Sequence, residues 1–512
     1  MAFKGKLFDV QKKDALKIIN RYTTILRRPT GTGKTITSIA VIEKLFEINA
    51  IDRALIFALA SLKEQWLDKI KKYTDRKHIR LCVISGGKDN REKLFEKCTD
   101  EKVIYIILNY EQARYCSEEV QNLIHNPERT IIFYDEISKK CRNYKAKVTE
   151  SVQLLKAKWK CGISATPVDK RPDDLFSLFN IIRPGFLGDW WSFDKTYIKR
   201  NFFGGVAKYI NLDILHKKIK KYFVGGDKDD EELRKCMPKV IFKDYRVDLS
   251  SDCRRLYKYV INDILNDIKL KREEREMAEL LRTNTNDDEV DGTVNTGAVK
   301  MQKLTFLRQL MNDPRLVVKS ETMYSRELRN KGILNQISIK NEKLDLLKEE
   351  VSDFLQYPEN KVIVFSYFKK MLQIMKEEFA KMKIHAELYT GDTSNKEKTR
   401  LQNAFNDGNL RVLLASDAGG CGLDLPGGNM VINYDIPQLP SALLQRNRTQ
   451  RIGSKHKTNI ISSIMFRDSY EERLINTLNR ERELASIVTD GGGESEYQIS
   501  TQSFKEFLQV SR

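Results

Sequence analysis

The chain has 512 residues, 41% of them hydrophobic, and a net charge of +19 that comes from 90 lysines and arginines against 71 aspartates and glutamates. A chain of this length is too long for one hydrophobic core, so we expect about two to four domains. The sequence contains no apolar run near the roughly 18 residues that a membrane-spanning helix needs, and its first residues lack the apolar segment of a secretory signal.

Short apolar runs alternate with amphipathic stretches from residue 7 to about residue 223. The runs cover residues 23–26, 54–59, 79–84, 103–108, 130–134 and 160–164. Nearly continuous hydrophobicity within each run, with helical stretches between runs, predicts a parallel sheet that is covered on both faces. We therefore predict a first α/β lobe over residues 1–225.

A glycine-bearing turn at residues 28–35 (RPTGTGKT) lies between an apolar run and an amphipathic run. The order strand, turn and helix is the context that a phosphate-binding loop requires, with backbone N–H groups and a helix dipole directed at the phosphates. Lys34 can then reach the β- and γ-phosphates, and the Thr35 hydroxyl can take a Mg²⁺ coordination site. The residues predicted to bind nucleotide here are Thr30, Gly31, Thr32, Gly33, Lys34 and Thr35.

Another interpretation of this turn stays open. Arg28 stands where phosphate-binding loops usually begin with glycine. A GKT triplet alone is also compatible with an ordinary helix N-terminus that follows a glycine turn.

An acidic pair follows the apolar run that ends at residue 134. Because ligands of doubly wound folds bind at the carboxyl edge of the sheet, Asp135 and Glu136 are placed to act on a bound nucleotide. Asp135 can hold Mg²⁺ through water, and Glu136 can orient or deprotonate the attacking water. The alternative is an exposed acidic turn. Residues 164–167 (SATP) form a further turn that can link the nucleotide site to a second domain.

The middle of the chain has a different character. Residues 250–282 are charged and favour a helix, residues 283–296 lack apolar periodicity and are predicted to be a mobile loop, and residues 300–311 are helical again. We predict a helical insertion or linker over residues 226–339.

A second series of apolar runs covers residues 361–366, 385–389, 411–415, 430–434 and 460–466. It predicts a second α/β lobe over residues 340–487. Residues 488–512 are predicted to be a glycine linker and a short tail, with an amphipathic segment at residues 504–510.

Two segments of the second lobe carry candidate site residues. Gly422 and the glycines before it allow close approach of the backbone to a nucleotide, and Asp424 can accept a ribose hydroxyl. Arg448 and Arg451 are three residues apart, which predicts one helix face that points at the γ-phosphate from the opposing lobe. The alternatives are a turn for the first segment and a solvated basic helix face for the second.

In their order along the chain these motifs resemble those of superfamily 2 helicase-type ATPases, and within them the Swi/Snf-related branch of double-stranded DNA translocases. The segments that carry the resemblance are residues 7–11 (LFDVQ), 28–35, 58–66, 109–112, 135–138, 164–167, 364–366, 389–392, 418–425 and 448–453. Four residues or segments depart from the family pattern. They are Arg28 in place of the first loop glycine, Ser138 in place of histidine, Leu439 and Pro440 in place of Trp-Asn-Pro, and Gln445 one residue closer to Arg448 than usual.

The resemblance implies two tandem RecA-like lobes, with a helical insertion between them, that bind ATP and Mg²⁺ in the cleft where the lobes face. It implies that Gln11 reads adenine, that Thr35 and Asp135 hold Mg²⁺, and that Lys34, Glu136, Arg448 and Arg451 are catalytic. The residues predicted to contact the DNA backbone are Ser61, Lys63, Asn109, Tyr110, Ser366 and Tyr367.

The expected function is that of a DNA-stimulated ATPase that translocates on, unwinds or remodels duplex, forked or branched DNA in replication, repair or recombination. The net positive charge agrees with a DNA partner, although a merely soluble lysine-rich protein explains it equally well. The alternatives are an RNA helicase and an ATP-gated motor subunit of a larger assembly, such as a restriction system.

Cysteine and histidine usage bears on the compartment. The eight cysteines form no C-x-x-C pair and the five histidines are not clustered, which favours reduced thiols and argues against a protein-bound metal site. We expect a monomeric cytoplasmic protein, or a nuclear one in a eukaryote; a viral or bacterial enzyme fits the short chain better than a chromatin remodeller.

Overall fold

The structure is a computed structural model that describes residues 3–75, 81–99, 103–169, 171–201, 205–226, 231–282, 296–417, 424–491 and 497–498. Three parts of the predictions lie outside these residues. They are the predicted mobile loop apart from its last residue, Gly422, and the amphipathic segment at residues 504–510.

The strands in the described residues belong to two parallel sheets and one small antiparallel sheet. Their bounds are β1 Thr23–Arg27, β2 Arg53–Ala58, β3 Leu81–Val83, β4 Tyr105–Asn109, β5 Thr130–Asp135, β6 Trp159–Ser164, β7 Ile198–Arg200, β8 Val206–Tyr209, β9 Phe223–Val224, β10 Lys239–Val247, β11 Val362–Phe365, β12 Ala386–Tyr389, β13 Val412–Ala415, β14 Met430–Asn433, β15 Thr458–Phe466 and β16 Tyr497–Gln498.

The α-helices are α1 Asp9–Arg21, α2 Lys34–Glu47, α3 Lys63–Tyr73, α4 Lys88–Thr99, α5 Tyr110–Tyr115, α6 Ser117–Asn122, α7 Ile137–Lys140, α8 Lys147–Gln153, α9 Asp174–Ile182, α10 Trp190–Tyr197, α11 Leu212–Ile219, α12 Glu231–Cys236, α13 Ser251–Arg282, α14 Thr296–Asn312, α15 Pro314–Val318, α16 Met323–Asn330, α17 Glu342–Phe354, α18 Lys369–Lys381, α19 Asn395–Asn406, α20 Pro440–Arg446 and α21 Tyr470–Asp490. Short 3₁₀ turns lie at Ala60–Leu62, Pro127–Arg129, Lys220–Tyr222 and Leu334–Gln336. No helix among the described residues is long and apolar enough to span a lipid bilayer.

The first sheet has the strand order β3-β4-β2-β5-β6-β1-β9, and its strands pair in parallel. Every apolar run predicted for the first lobe supplies one of these strands, so that prediction is confirmed. Along β2, Leu55 and Phe57 enter the core on one face of the sheet, and Ile56 and Ala58 enter the core on the other. Because both faces are buried, each strand needs a continuous apolar run.

The second sheet has the strand order β10-β15-β14-β11-β13-β12, also parallel. Along β11 the same alternation holds, with Val362 and Val364 in one core and Ile363 and Phe365 in the other. The apolar runs predicted for the second lobe supply β11 to β15, which confirms them.

Strand β10 differs from the prediction of a helical insertion over residues 226–339. It pairs with β15 along its whole length, from Lys239 opposite Thr458 to Val247 opposite Phe466. Four of its nine residues are charged and much of the strand is exposed, as suits the edge of a sheet. Most of the described residues between β10 and residue 330 are helical, and α13 to α16 form a common core with the beginning of α21. The domain boundaries themselves stay a prediction.

Helix α21 connects the two lobes. Its first half packs Leu474 and Leu478 into the core around α13 and α14, and its second half packs Leu484 and Val488 into the first lobe. The side chain of Asp490 at its end forms an ion pair with Arg27, at the end of β1. The last helix therefore contacts the strand that leads into the glycine turn.

Candidate functional site

A cleft of about 350 Å³ opens between the two lobes, and we call it the interlobe cleft. Its lining includes Gln11, Thr30, Gly31, Gly33, Lys34, Thr35, Trp66, Lys69, Asp135, Glu136, Asp424, Arg448 and Arg451. Most of the residues predicted to bind or hydrolyse the nucleotide thus lie around one space.

The glycine turn has the predicted context, because β1 ends at Arg27 and α2 begins at Lys34. Gly31 and Gly33 have φ angles of 80° and 81°, in the left-handed region where a side chain is strained. A Cβ atom on Gly31 would also lie only 2.5 Å from the carbonyl oxygen of Gln450 in the second lobe. Glycine at this position therefore permits both the turn and the close approach of the two lobes.

Lys34 begins α2 and curls over the turn. Its Nζ donates hydrogen bonds to the carbonyl oxygens of Arg28 and Pro29, at 2.9 Å and 3.0 Å. Burial in the cleft lowers the pKa of Lys34 to about 8, although the carboxylates of Glu136 and Asp135 act in the opposite direction. An anionic ligand in the cleft would restore the charged form of this lysine.

Gln11 is buried beside the same turn. Its Nε2 donates to the carbonyl oxygen of Thr32 at 2.9 Å, and its Oε1 accepts from the backbone N–H of Phe8 at 3.0 Å. The side chain therefore fixes the turn against the start of α1. Its predicted contact with adenine stays a prediction.

Arg28, which stands where phosphate-binding loops usually begin with glycine, has a structural role in this protein. Its Nε donates to the Oδ2 of Asp14 on α1 at 2.7 Å, and both side chains are buried, with exposed fractions of 7% and 3%. The guanidinium packs against Gly225, where a Cβ atom would lie 2.5 Å from Nε. The arginine side chain thus ties the turn to α1.

The acidic pair lies where the sequence predicts, with Asp135 at the end of β5 and Glu136 directly after it. Burial raises the pKa of Asp135 to about 6, with a further contribution from Glu136, whereas a 2.8 Å hydrogen bond from Trp66 Nε1 favours the ionised form. Glu136 has a φ of 50°, an unusual conformation for a residue other than glycine.

Ser138 stands in place of the histidine of the family pattern, and its side chain contacts the SATP turn. Its Oγ lies 2.7 Å from the Oγ of Ser164, which in turn accepts from the N–H of Thr166 at 3.0 Å. The acidic segment is therefore linked to the SATP turn within the first lobe.

Arg448 and Arg451 face the cleft from the second lobe, but the prediction that they share a helix face is wrong. Helix α20 ends at Arg446, and Asn447 has backbone angles outside the helical region. Arg451 is held instead by its Nε, which lies 2.9 Å from the Oδ1 of Asp424 and donates to the carbonyl oxygen of Arg448 at 3.2 Å. The N–H of Ile452 donates to the carbonyl oxygen of Gly31 at 3.1 Å, which joins this segment to the first lobe.

A second space between the lobes, which we call the basic groove, has a volume of about 760 Å³. Polar and basic side chains on its walls include Ser61, Asn109, Lys139, Lys140, Arg142 and Lys398. Two of the predicted DNA contacts, Ser61 and Asn109, thus lie in this groove. Sequence reasoning missed the basic residues, because isolated lysines and arginines carry no motif.

Three other predicted DNA contacts need correction. Tyr110 and Ser366 have no exposed surface, and Lys63 is 7% exposed. Their polar atoms bond internally: Tyr110 to the backbone of Asp135, Ser366 to Asp435, and Lys63 to the carbonyl oxygen of Ile84. These side chains position the strand ends and cannot reach DNA as they stand.

Tyr367, a further predicted contact, is well exposed, at 52%. The guanidinium of Arg308 lies 4.1 Å from the centre of its ring, which gives a basic and aromatic surface on the second lobe. Such a pair suits a nucleic-acid backbone or an unstacked base.

A direct contact between the lobes was not predicted. Asp169, after the SATP turn, is 3% exposed and accepts hydrogen bonds from both the N–H and the Oγ of Ser441, at 2.9 Å and 2.7 Å. No local pattern marks this residue as functional, because its partner lies 272 residues away in the chain.

Comparison with known proteins gives two family matches. Residues 17–316 match the SNF2-related domain, and residues 342–453 match the helicase conserved C-terminal domain. The first match alone covers more than half of the chain. The sequence-based assignment to the Swi/Snf-related branch is confirmed.

Two curated relatives come from Schizosaccharomyces pombe. The TATA-binding protein-associated factor mot1 is 25% identical over 93% of this chain, and the DNA repair protein rhp54 is 23% identical over 95% of it. The chain spans only 26% of the first relative and 58% of the second. Among solved structures, the Hef helicase domain of Pyrococcus furiosus is similar, with a TM-score of 0.55, 17% identity, and coverage of 92% of this chain and 97% of that one. The predicted fold of two tandem RecA-like lobes is confirmed.

Proposed function

We propose that this chain, which belongs to the SNF2-related domain family, uses ATP hydrolysis to move along or remodel DNA. The two matched families are those of helicase-type ATPases, so the chain is a hydrolase of that type. One observation carries the proposal: Lys34 and Glu136 from the first lobe and Arg448 and Arg451 from the second line the same cleft.

Each of these side chains suits a step in phosphoryl transfer to water. The backbone of the glycine turn and Lys34 bind the phosphates, and Glu136 orients the attacking water and accepts its proton. Arg448 and Arg451 approach from the second lobe, where their fixed charges stabilise the negative charge that develops on the phosphoryl group. Closure of the lobes is therefore required for turnover and not for the first contact with ATP.

The donors in the cleft fit a magnesium ion. The Thr35 hydroxyl and the Asp135 carboxylate line the same space, and Mg²⁺ in nucleotide sites is held by one or two protein oxygens with phosphates and waters. When bound, Mg²⁺ neutralises phosphate charge. Trp66, through its hydrogen bond, orients the Asp135 carboxylate for this role.

DNA is the proposed partner for three reasons. The basic groove spans both lobes, the exposed Tyr367 with Arg308 adds an aromatic and basic surface, and the chain carries a net charge of +19. One relative is a DNA repair protein, and the other is a TATA-binding protein-associated factor. Contacts through backbone phosphates would give binding that depends on salt more than on base sequence.

ATPase rates without nucleic acid and with duplex DNA, forked DNA and RNA test the proposal. We expect stimulation by DNA, and a strand-displacement assay on forked and blunt duplexes then separates unwinding from translocation. Equal rates in all four conditions would contradict the proposal. Stimulation by RNA alone would favour an RNA helicase, and loss of partner binding with full ATPase activity on deletion of residues 490–512 would favour a motor subunit.

The role of Glu136 has its own test. Glu136→Gln should bind ATP and fail to hydrolyse it, because the amide cannot accept a proton from water. Glu150→Gln, an exposed change on α8, is the matched control and should keep full activity. An active Glu136→Gln protein would remove Glu136 from the mechanism.

A further inference from the structure

Helix α3 forms a wall of the interlobe cleft. Gln65, Lys69 and Tyr73 are spaced four residues apart, so they share one face of the helix, and all three line the cleft. Trp66 on the same helix contacts Asp135. The family resemblance assigns the segment at the start of this helix to DNA, whereas the body of the helix turns these side chains toward the interlobe cleft.

Lys69 is the charged member of this face. The charges that act on it come from Asp424 and Arg451 of the second lobe, from Asp135 of the first lobe, and from Lys72 on the same helix. Its side chain is only partly exposed, and this burial against the cleft walls lowers its pKa. Among the described residues, its ammonium group has neither a hydrogen bond nor an ion pair.

Two other cations of the cleft, Lys34 and Arg451, differ from Lys69 because they have bonding partners. Lys34 donates to two carbonyl oxygens of the turn, and Arg451 pairs with Asp424. Of the described side chains that line the cleft, five are cationic and three are anionic. A shielded cation without a partner is unfavourable, and an anionic ligand relieves that cost.

We propose that Lys69 contacts the phosphate oxygens of the bound nucleoside triphosphate, as a second lysine beside Lys34. This inference rests on the proposed function, because the ligand is the ATP of that reaction. The phosphate end of the nucleotide is favoured over the base, since Asp135 and Arg451, two of the charges that act on Lys69, belong to the groups that surround the phosphates. Asp424, which pairs with Arg451 and acts on Lys69, then balances part of both positive charges.

A binding experiment on the full chain tests this role. The dissociation constants of a non-hydrolysable ATP analogue, ADP and adenosine are measured with Mg²⁺ and without DNA. For Lys69→Met we expect about tenfold or more weaker binding of the analogue and a comparable rise in KM, because a charged hydrogen bond is lost. Adenosine binding and kcat should change little. Lys69→Arg should recover most of the affinity, because it keeps the charge.

Lys71→Met is the matched control, because Lys71 lies on the exposed side of the same helix. It should bind all three ligands as the unchanged protein does. Thermal unfolding of each variant checks its folding, and Lys69→Gln, which keeps a polar side chain, replaces Lys69→Met if the latter does not fold.

Two results would overturn the inference. Unchanged analogue affinity in Lys69→Met would mean that Lys69 only balances Asp424, and an equal loss for adenosine would mean that it contacts the nucleoside. Failure of the proposed function is a separate result, because the unchanged protein would then bind no ATP analogue at all.

Discussion

The two halves of the interlobe cleft are built in different ways. The first-lobe half consists of short segments at strand ends, the glycine turn after β1 and the acidic pair after β5, held by bonds within that lobe. The second-lobe half is a segment after α20 without regular structure, held by Asp424 and by the backbone of Gly31 across the cleft. The first half is held within its own lobe, whereas the second half is held within its own lobe and also bonds to the first lobe.

This difference separates binding from turnover. The first lobe carries the groups that we propose bind phosphate and metal, so we expect it to bind ATP while the lobes are apart. In the proposed mechanism the arginines act only when the lobes meet, so we expect hydrolysis to respond to any ligand that changes the lobe arrangement. DNA in the basic groove, which spans both lobes, would be such a ligand.

The largest expected effect is on catalysis by the second-lobe half. Arg448→Ala should lower kcat by about 1000-fold, because a charge that stabilises the transition state is removed, while ATP affinity changes by about threefold or less. Steady-state kinetics and equilibrium binding measure the two quantities. Arg400→Ala, an exposed change on the same lobe, is the control. If ATP affinity and kcat fell equally, the proposal that the first lobe binds ATP and the second lobe acts in turnover would be contradicted.

The second largest expected effect is on the stability of the first lobe. Arg28→Ala leaves the Asp14 carboxylate buried without its partner, so we expect a loss of about 3–5 kcal/mol in the free energy of unfolding of the first lobe. Chemical denaturation followed by tryptophan fluorescence measures it. The double change Arg28→Met with Asp14→Leu should recover most of the loss. A small effect of Arg28→Ala alone would show that the turn does not depend on α1.

A smaller effect concerns pH. Because the pKa of Lys34 is lowered to about 8 in the free protein and a bound phosphate raises it, the charged lysine that ATP requires is present below pH 8 and is lost above it. ATP affinity should therefore fall about tenfold per pH unit above pH 8, until the pKa of the complex is reached.

Titrations of ATP binding between pH 7 and 9.5 check this expectation. Lys34→Arg should flatten the profile, because a guanidinium stays charged in this range. Lys69→Arg measures how much Lys69 contributes to the pH dependence of ATP affinity. The arginines of the second-lobe half add no pH dependence for the same reason. A flat profile in the unchanged protein would contradict the lowered pKa.

The smallest expected effect concerns the contact between the lobes. Asp169→Ala removes the acceptor of both hydrogen bonds from Ser441, so kcat should fall about fivefold while ATP affinity stays the same. Ser441→Ala removes only the hydroxyl and should have a weaker effect. If ATP affinity changed as much as kcat, Asp169 would contribute to ATP binding and not only to the contact between the lobes.

Local patterns were enough for the first-lobe half. A parallel strand buried on both faces must be apolar along its length, and the glycine turn and the acidic pair are contiguous in sequence, so the strands, Lys34 and Glu136 were predicted correctly in place. Local spacing failed at Arg448 and Arg451, because a three-residue interval suggests a helix only where the backbone hydrogen bonds continue. It also failed at Tyr110 and Ser366, since polar side chains at strand ends look alike in sequence whether they are buried or exposed.

The order of residues alone was enough for the fold class, the family and the first-lobe motif residues that line the cleft, because these depend on residue types at short spacing. Folding in three dimensions determined the rest: Arg28 as the partner of Asp14, Ser138 as the partner of Ser164, β10 as an edge strand of the second sheet, and the face of α3 that carries Lys69. Each of these depends on which distant segments pack together, and burial and hydrogen bonding across such distances leave no short-range pattern in the sequence.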